Sequence, residues 1–241
     1  MTSPEFDRYS THYEDLLKDP IRDRFAGTDG STFFHKRKRD LILAYFRQHG
    51  VDTSPLAYLD FGCGKGILLS LLRHDFSRVA GCDPSEGMLD AAQEIEKRVQ
   101  IDSNEIPFRD AEFDFVTAVC VYHHVPPAAR LALTREVWRV LRSGGTFAII
   151  EHNPYNLATR LIVGRTPVDA DAVLLKQREV LELLRASGFT LSQSRYFLFF
   201  PAFLYRHTGD RAEEWLGTLP LGGQYAVFAT KMDRNDVRSH D

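Results

Sequence analysis

Eight consecutive residues, Leu59-Asp60-Phe61-Gly62-Cys63-Gly64-Lys65-Gly66, constrain this chain more than any other stretch. They close an apolar run that begins near Leu56, so a buried strand ends on an acid and turns through alternate glycines into a helix. An α/β protein builds a nucleotide-type pocket in this way, at the carboxyl edge of its sheet. Alternate glycines permit positive φ and let a ligand approach the main chain where a Cβ would collide. Two phosphate-binding versions of such a turn do not fit. Ile67 stands where a pyrophosphate fingerprint needs its third spaced glycine, and no Gly-Lys-Ser/Thr follows at P-loop spacing.

The segments that follow say what else lies on that edge. Ser77 to Asp83 forms a second strand ending in an acid, roughly 20 residues after the turn, the distance at which a carboxylate accepts from ribose hydroxyls. Pro84-Ser85-Glu86-Gly87-Met88-Leu89 supplies an N-cap and a helix start, so the plainer alternative is that Asp83 only caps that helix. Val99 to Ser103 is a third, short strand, and Phe115 to Val121 a fourth, apolar as a strand buried on both faces should be. The fourth ends in Tyr122-His123-His124-Val125. A helix from Ala128 to Leu141 is expected to stop on a glycine C-cap at Arg142-Ser143-Gly144-Gly145. A fifth strand, Thr146 to Ile150, ends in Glu151-His152-Asn153.

The D-x-G-x-G-x-G turn from Asp60, the acid at Asp83, the segment Asn104 to Asp114 and the Tyr122-His123-His124 edge together resemble the class I S-adenosylmethionine-dependent methyltransferases of the small-molecule, type 11-like kind. The resemblance runs from about Tyr58 to Asn153. It implies a Rossmann-like, doubly wound α/β fold with a seven-stranded sheet whose last strand is antiparallel. It also implies an N-terminal helical cap over residues 1–50, a cofactor-binding core over 56–153, a substrate-cap insertion over 154–176 after strand five, and a C-terminal helix and strand hairpin over 177–231, all in one domain, 1–241.

The site implied is cofactor first. Asp60, Gly62, Cys63 and Gly64 would meet the methionine part of S-adenosylmethionine. Asp83 would lie at the ribose, and Pro84, Met88, Val119 and Cys120 would also bind the cofactor. Adenine needs an acceptor for its amino group and a main-chain donor for a ring nitrogen, for which Asp102 and Ser103 are the candidates. Methyl transfer is an in-line displacement, so a protein aligns the acceptor and, for a hydroxyl or carbon acceptor, removes a proton. His123, His124 and His152, all at strand ends on the catalytic edge, are the candidate bases. The expected activity is methylation of a small molecule, most simply at oxygen. N- or C-methylation, or a reaction such as cyclisation on a methyltransferase fold, stays open. A nucleic-acid base methyltransferase would carry an acid or amide before Pro-Pro-aromatic after strand four. Here Pro126-Pro127 lack it.

Composition adds boundaries. A net charge of -3 leaves no electrostatic footprint for nucleic acid, and the basic run His35-Lys36-Arg37-Lys38-Arg39 reads as the solvated face of a helix that continues into Leu41-Ile42-Leu43. The 3 cysteines end predicted strands and suit a reducing compartment better than a disulfide framework or a metal site, so no metal is expected. No signal peptide opens the sequence and no run of ~18 apolar residues occurs, which points to a cytoplasmic protein without a membrane span. Arg160 and Arg165, in the insertion, read as surface arginines. Residues 1–6 and 233–241 read as frayed ends. The aromatic-rich segment Ser194 to Gly223 would divide between core and a wall for an apolar acceptor.

Overall fold

The computed structural model describes residues 5–90, 95–101, 105–208 and 211–232. Seven strands form one sheet: β1 (Ala57–Phe61), β2 (Arg78–Asp83), β3 (Glu96–Val99), β4 (Phe113–Val119), β5 (Leu141–His152), β6 (Thr190–Phe197) and β7 (Gln224–Thr230). Their order is β3-β2-β1-β4-β5-β7-β6, and β7 runs antiparallel to both of its neighbours. The strand order reverses between β1 and β4, and a ligand crevice opens outside the carboxyl ends at such a point.

Burial on both faces explains the composition of the strands. Every residue of β1 is buried, and alternate side chains enter opposite cores: Leu59 and Phe61 on one side, Tyr58 on the other. The first core is covered by α6 (Arg130–Val140) and α8 (Gln177–Ala186), through residues such as Val137 and Val180. The second is covered by α3 (Ser31–Gln48) and α4 (Ile67–Leu72). Tyr45 of α3 stacks on Phe228 of β7 with centroids 4.1 Å apart and planes 6° from parallel.

Ahead of α3, α1 (Tyr13–Leu16) and α2 (Pro20–Ala26) cross the carboxyl edge, and α2 starts where Asp19 accepts from the Ile21 and Arg22 amides. α5 (Glu86–Leu89) follows β2, with Ser85 as its cap. The insertion after β5 folds into α7 (Leu157–Val163) and a single 3-10 turn, Pro167–Asp169. α9 (Ala202–Thr208) and α10 (Arg211–Leu216) lie between β6 and β7. No helix among the described residues is long and apolar enough to cross a membrane.

Several boundaries differ from those expected. β3 spans Glu96–Val99 rather than Val99–Ser103, and the last bond of its ladder to β2 runs from the Gln100 amide to the Asp83 carbonyl (3.0 Å). α6 starts at Arg130 and has no glycine cap. Leu141 turns extended (φ -77, ψ 140) and leads straight into β5, while Lys231 Nζ donates to the Trp138 and Leu141 carbonyls at 2.7 and 2.6 Å. An ammonium from the far end of β7 thus does what the glycines were expected to do. Glu5 and Phe6 begin a 3-10 turn ending at Tyr9 rather than fraying; residues 1–4 and 233–241 lie outside the described residues.

The basic run is the largest correction. Lys38 is 5% exposed and Arg37 makes an ion pair of 2.6 Å with Glu213. Lys36 stays exposed, but Arg37 lies against Tyr205 of α9 and Glu213 of α10, contacts that no period-3.6 pattern in α3 alone could announce.

Candidate functional site

The carboxyl ends of β1, β2, β4 and β5 open into one cavity of about 560 Å³, within the roughly 300–1,000 Å³ of small-molecule pockets. The glycine turn forms its floor. Gly62 (φ 71) and Cys63 both donate to the Cys82 carbonyl, at 2.8 and 3.0 Å, which ties the turn to β2. A Cβ on Gly62 would stand 2.4 Å from Val121 Cγ2, whereas one on Gly64 (φ 51) would meet nothing within 4 Å and would project into open space. Position 62 is glycine for packing, and position 64 for the backbone a ligand approaches.

The acids behave differently from one another. Asp83 lines the cavity, with Oδ2 accepting from the Gly64 amide (2.8 Å) and Oδ1 from the Ser85 amide (2.9 Å). It therefore braces both the turn and the start of α5, and a carboxylate with about four lone-pair sites still has capacity for a ligand hydroxyl. Burial pushes its pKa upward. Asp60, expected to touch the cofactor, does not line the cavity. It lies 3% exposed beneath the turn, accepts from the Thr117 hydroxyl at 2.6 Å, and burial pushes its carboxyl up to about 7.

Cys63, Pro84, Met88, Val119 and Cys120 all line the cavity, as does Gln100 at the end of β3. Asp102 and Ser103 lie outside the described residues.

The opposite wall is a histidine–carboxylate cluster. Glu151, fully buried at the end of β5, accepts from the Tyr122 amide at 2.7 Å and from His123 Nδ1 at 2.6 Å. Asp169, in the 3-10 turn of the insertion, places Oδ1 3.5 Å from His123 Nε2 and 3.4 Å from His124 Nε2. Burial disfavours the charged form of His123, but Glu151 and Asp169 outweigh it and hold the ring well above the usual imidazole range. Burial, and then the charge of His123, push His124 down to about 4. His152 stands 5.2 Å from His123 by ring centroids, with Nδ1 3.4 Å from Gln224 Nε2.

The N-terminal cap closes the third side. Tyr13, His35 and Lys38 line the cavity, and the Lys65 ammonium lies 5.7 Å over the Tyr13 ring. Asp7 accepts from the Ser85 hydroxyl at 2.6 Å, tying the first turn of chain to α5. Arg165 reaches across to Asp19 (3.7 Å), so one of the two insertion arginines links the insertion to the cap. Two buried polar atoms, His35 Nδ1 and Gln224 Oε1, have no hydrogen-bond partner among the described residues, and both side chains line this cavity. Orphaned atoms of that kind call for a partner, which a ligand, an ion, a water or a turned-over side-chain amide can supply.

Reasoning from sequence missed Lys38, His35, Gln224 and Asp169. Asp169 carried no signal at all: an acid in a loop of ordinary polarity acquires its position only when the insertion folds back, where Val173 donates to the His123 carbonyl at 2.8 Å.

Residues 59–149, which span β1 to β5, match the family model described as "Methyltransferase domain". Among curated relatives, an uncharacterized methyltransferase of Synechocystis sp. is 31% identical over 102 residues, covering 41% of this chain and 48% of the relative. A demethylmenaquinone methyltransferase of Staphylococcus aureus is 37% identical over 102 residues, covering 39% and 42%. The chain spans about half the length, or less, of these relatives. In three dimensions it is similar to an S-adenosylmethionine-dependent methyltransferase from Archaeoglobus fulgidus, with a TM-score of 0.60 at 19% identity over 83% of this chain and 100% of the other. At that identity the likeness shows the fold.

Proposed function

Because residues 59–149 are a methyltransferase domain of the class I fold, we propose that this protein is an S-adenosylmethionine-dependent methyltransferase whose acceptor is a small molecule with an apolar body and a hydroxyl group. The carrying observation is that one cavity has the glycine turn and Asp83 on one wall and three histidines on the other.

The residues present fit the cofactor. The Gly64 backbone leaves an open cradle for the methionine part, Asp83 keeps lone pairs for ribose hydroxyls, and Met88 and Val119 supply apolar walls. Lys38, which lines the cavity and whose charge acts on Asp60 and Cys120, suits a carboxylate. S-adenosylmethionine supplies an electrophilic methyl group on a sulfonium, and the chain's own task is to aim an oxygen at it and take the proton.

Of the three candidate bases, His152 fits best. Both ring nitrogens of His123 face carboxylates, and His124 Nε2 faces Asp169. If the Gln224 amide is turned so that its oxygen receives His152 Nδ1–H, the otherwise unpartnered Oε1 gains a donor and His152 Nε2 becomes the ring's acceptor. The remaining walls, from Phe25, Phe34, Ile162 and Phe199, suit an apolar acceptor body.

Calorimetry with S-adenosylmethionine tests the cofactor. Asp83→Ala should weaken binding at least tenfold, about 1.4 kcal/mol, and unchanged binding would remove Asp83 from the site. Release of S-adenosylhomocysteine with hydroxylated aromatic acceptors, and not with their amine counterparts, tests the atom methylated. Tight cofactor binding with no turnover across both panels would overturn methyl transfer.

A further inference from the structure

We propose that His123 Nε2, His124 Nε2 and Asp169 Oδ1 form a binding site for one divalent transition-metal ion in the cavity wall. The distances carry the argument. At 3.5 and 3.4 Å, the two nitrogen–oxygen contacts are longer than ordinary N–H···O bonds, which lie at about 2.7–3.2 Å. They match the edge of a ligand tetrahedron: bonds of about 2.0–2.1 Å around a zinc-like ion separate neighbouring ligand atoms by about 3.3–3.4 Å. All three donor atoms lie within 4.8 Å of one another. An ion among the three would replace the two long imidazole–carboxylate contacts with three bonds of coordination length.

The surroundings are those of a ligand set. Glu151 holds the His123 Nδ1–H at 2.6 Å, so Nε2, which faces Asp169, is the nitrogen that gives up its proton when an ion binds. The Tyr122 amide in turn holds the other oxygen of Glu151, so the ring has little freedom to swing. His123 and Glu151 side chains are each 1% exposed, Asp169 11% and His124 25%, so the cluster is sealed from behind and open only toward the cavity. Two nitrogens and one carboxylate favour Zn²⁺, Mn²⁺, Fe²⁺ or Co²⁺ over Mg²⁺ or Ca²⁺, which take oxygen shells. With three protein ligands, at least one position remains for a molecule in the cavity.

The role of the ion, unlike its binding, rests on the methyl-transfer reading. An acceptor hydroxyl bound at the open position loses its proton more readily, passing it to His152 or to water. The oxygen–carbon bond then forms as the carbon–sulfur bond breaks with its electron pair on sulfur.

The test uses the full chain, stripped with EDTA and titrated with ZnCl₂ by calorimetry in a non-chelating buffer at neutral pH. The expected result is one ion per chain, with Asp169→Asn weakening binding at least tenfold and Glu151→Gln by about 10–100-fold. CoCl₂ should give a visible absorption band that Asp169→Asn abolishes. His124→Ala, at a partly exposed position, serves as a second ligand variant, and circular dichroism in EDTA checks that each variant is folded. No binding, or binding that neither ligand variant weakens, overturns the site. Calorimetry of S-adenosylmethionine on the same stripped chain reports separately on the methyltransferase reading, so the two can fail independently.

Discussion

Cys63, Cys82 and Cys120 look alike in the sequence, each near the end of a strand, yet their environments separate them chemically. Burial pushes the Cys63 and Cys82 thiols far up. Burial also acts against the Cys120 thiolate, but the Lys38 ammonium and His152 outweigh it and bring this thiol down to about 7. The thiolate is the form that alkylates. Iodoacetamide should therefore label Cys120 selectively, with a rate that rises through pH 7, and bound S-adenosylmethionine should protect it. Lys38→Met should move that midpoint upward by removing the nearby charge. Labelling spread evenly over the three cysteines, checked by peptide mass mapping, would contradict this assignment. Asp60 and Asp83 show a limit of sequence at the same scale. Two acids at expected spacings are both present, but which faces the cavity depends on the path of the turn, and Asp60 faces the buried Thr117 hydroxyl.

Strands and the long helices are legible as elements because their patterns are local. β1, β4 and β7 are mainly apolar, and α8 ends at Ala186, just ahead of Gly188 with its positive φ of 93°. What is not legible is how elements distant in sequence satisfy one another. The basic run of α3 is tied down by Glu213 of α10, which lies 3% exposed and also accepts from the Leu198 amide at 2.5 Å and from the Tyr205 hydroxyl. Partners 176 residues apart leave no signature in either segment. Glu213→Ala removes the 2.6 Å ion pair and leaves the buried Leu198 amide without its acceptor, while Asp40 stays 3.7 Å from Arg37, a change that costs about 3 kcal/mol. In a domain of this size the melting temperature should fall by roughly 6–12 °C or more. A fall of less than roughly 2 °C in a calorimetric scan would show that α10 contributes little to the hold on α3.

Asp60 gives the stability of the whole molecule one pH-dependent contribution. Asp60 ionises near 3.8 in an ordinary setting and near 7 in the fold, where burial raises it and the Thr117 hydroxyl and Lys38 only partly offset this. Between those values the folded chain holds a proton that the unfolded chain has released, so this contribution to stability is complete below pH 3.8 and lost as pH rises through about 7. Asp60→Asn keeps an oxygen for Thr117 and removes the titration. Urea denaturation at pH 5 and pH 8 should show a flatter pH profile for the variant, with a gain over the parent at pH 8 on the order of 2–4 kcal/mol. Equal slopes for the two chains would place the proton elsewhere. The sheet itself has a consequence for biogenesis. β7 is translated after every other strand among the described residues, yet it lies between β5 and β6 and is antiparallel to both. A nascent chain halted before Gln224 leaves one edge of β5 bare and β6 with no strand beside it, each a template for pairing with a neighbouring polypeptide. Emergence of β7, not the early synthesis of the glycine turn, is the event that covers these edges.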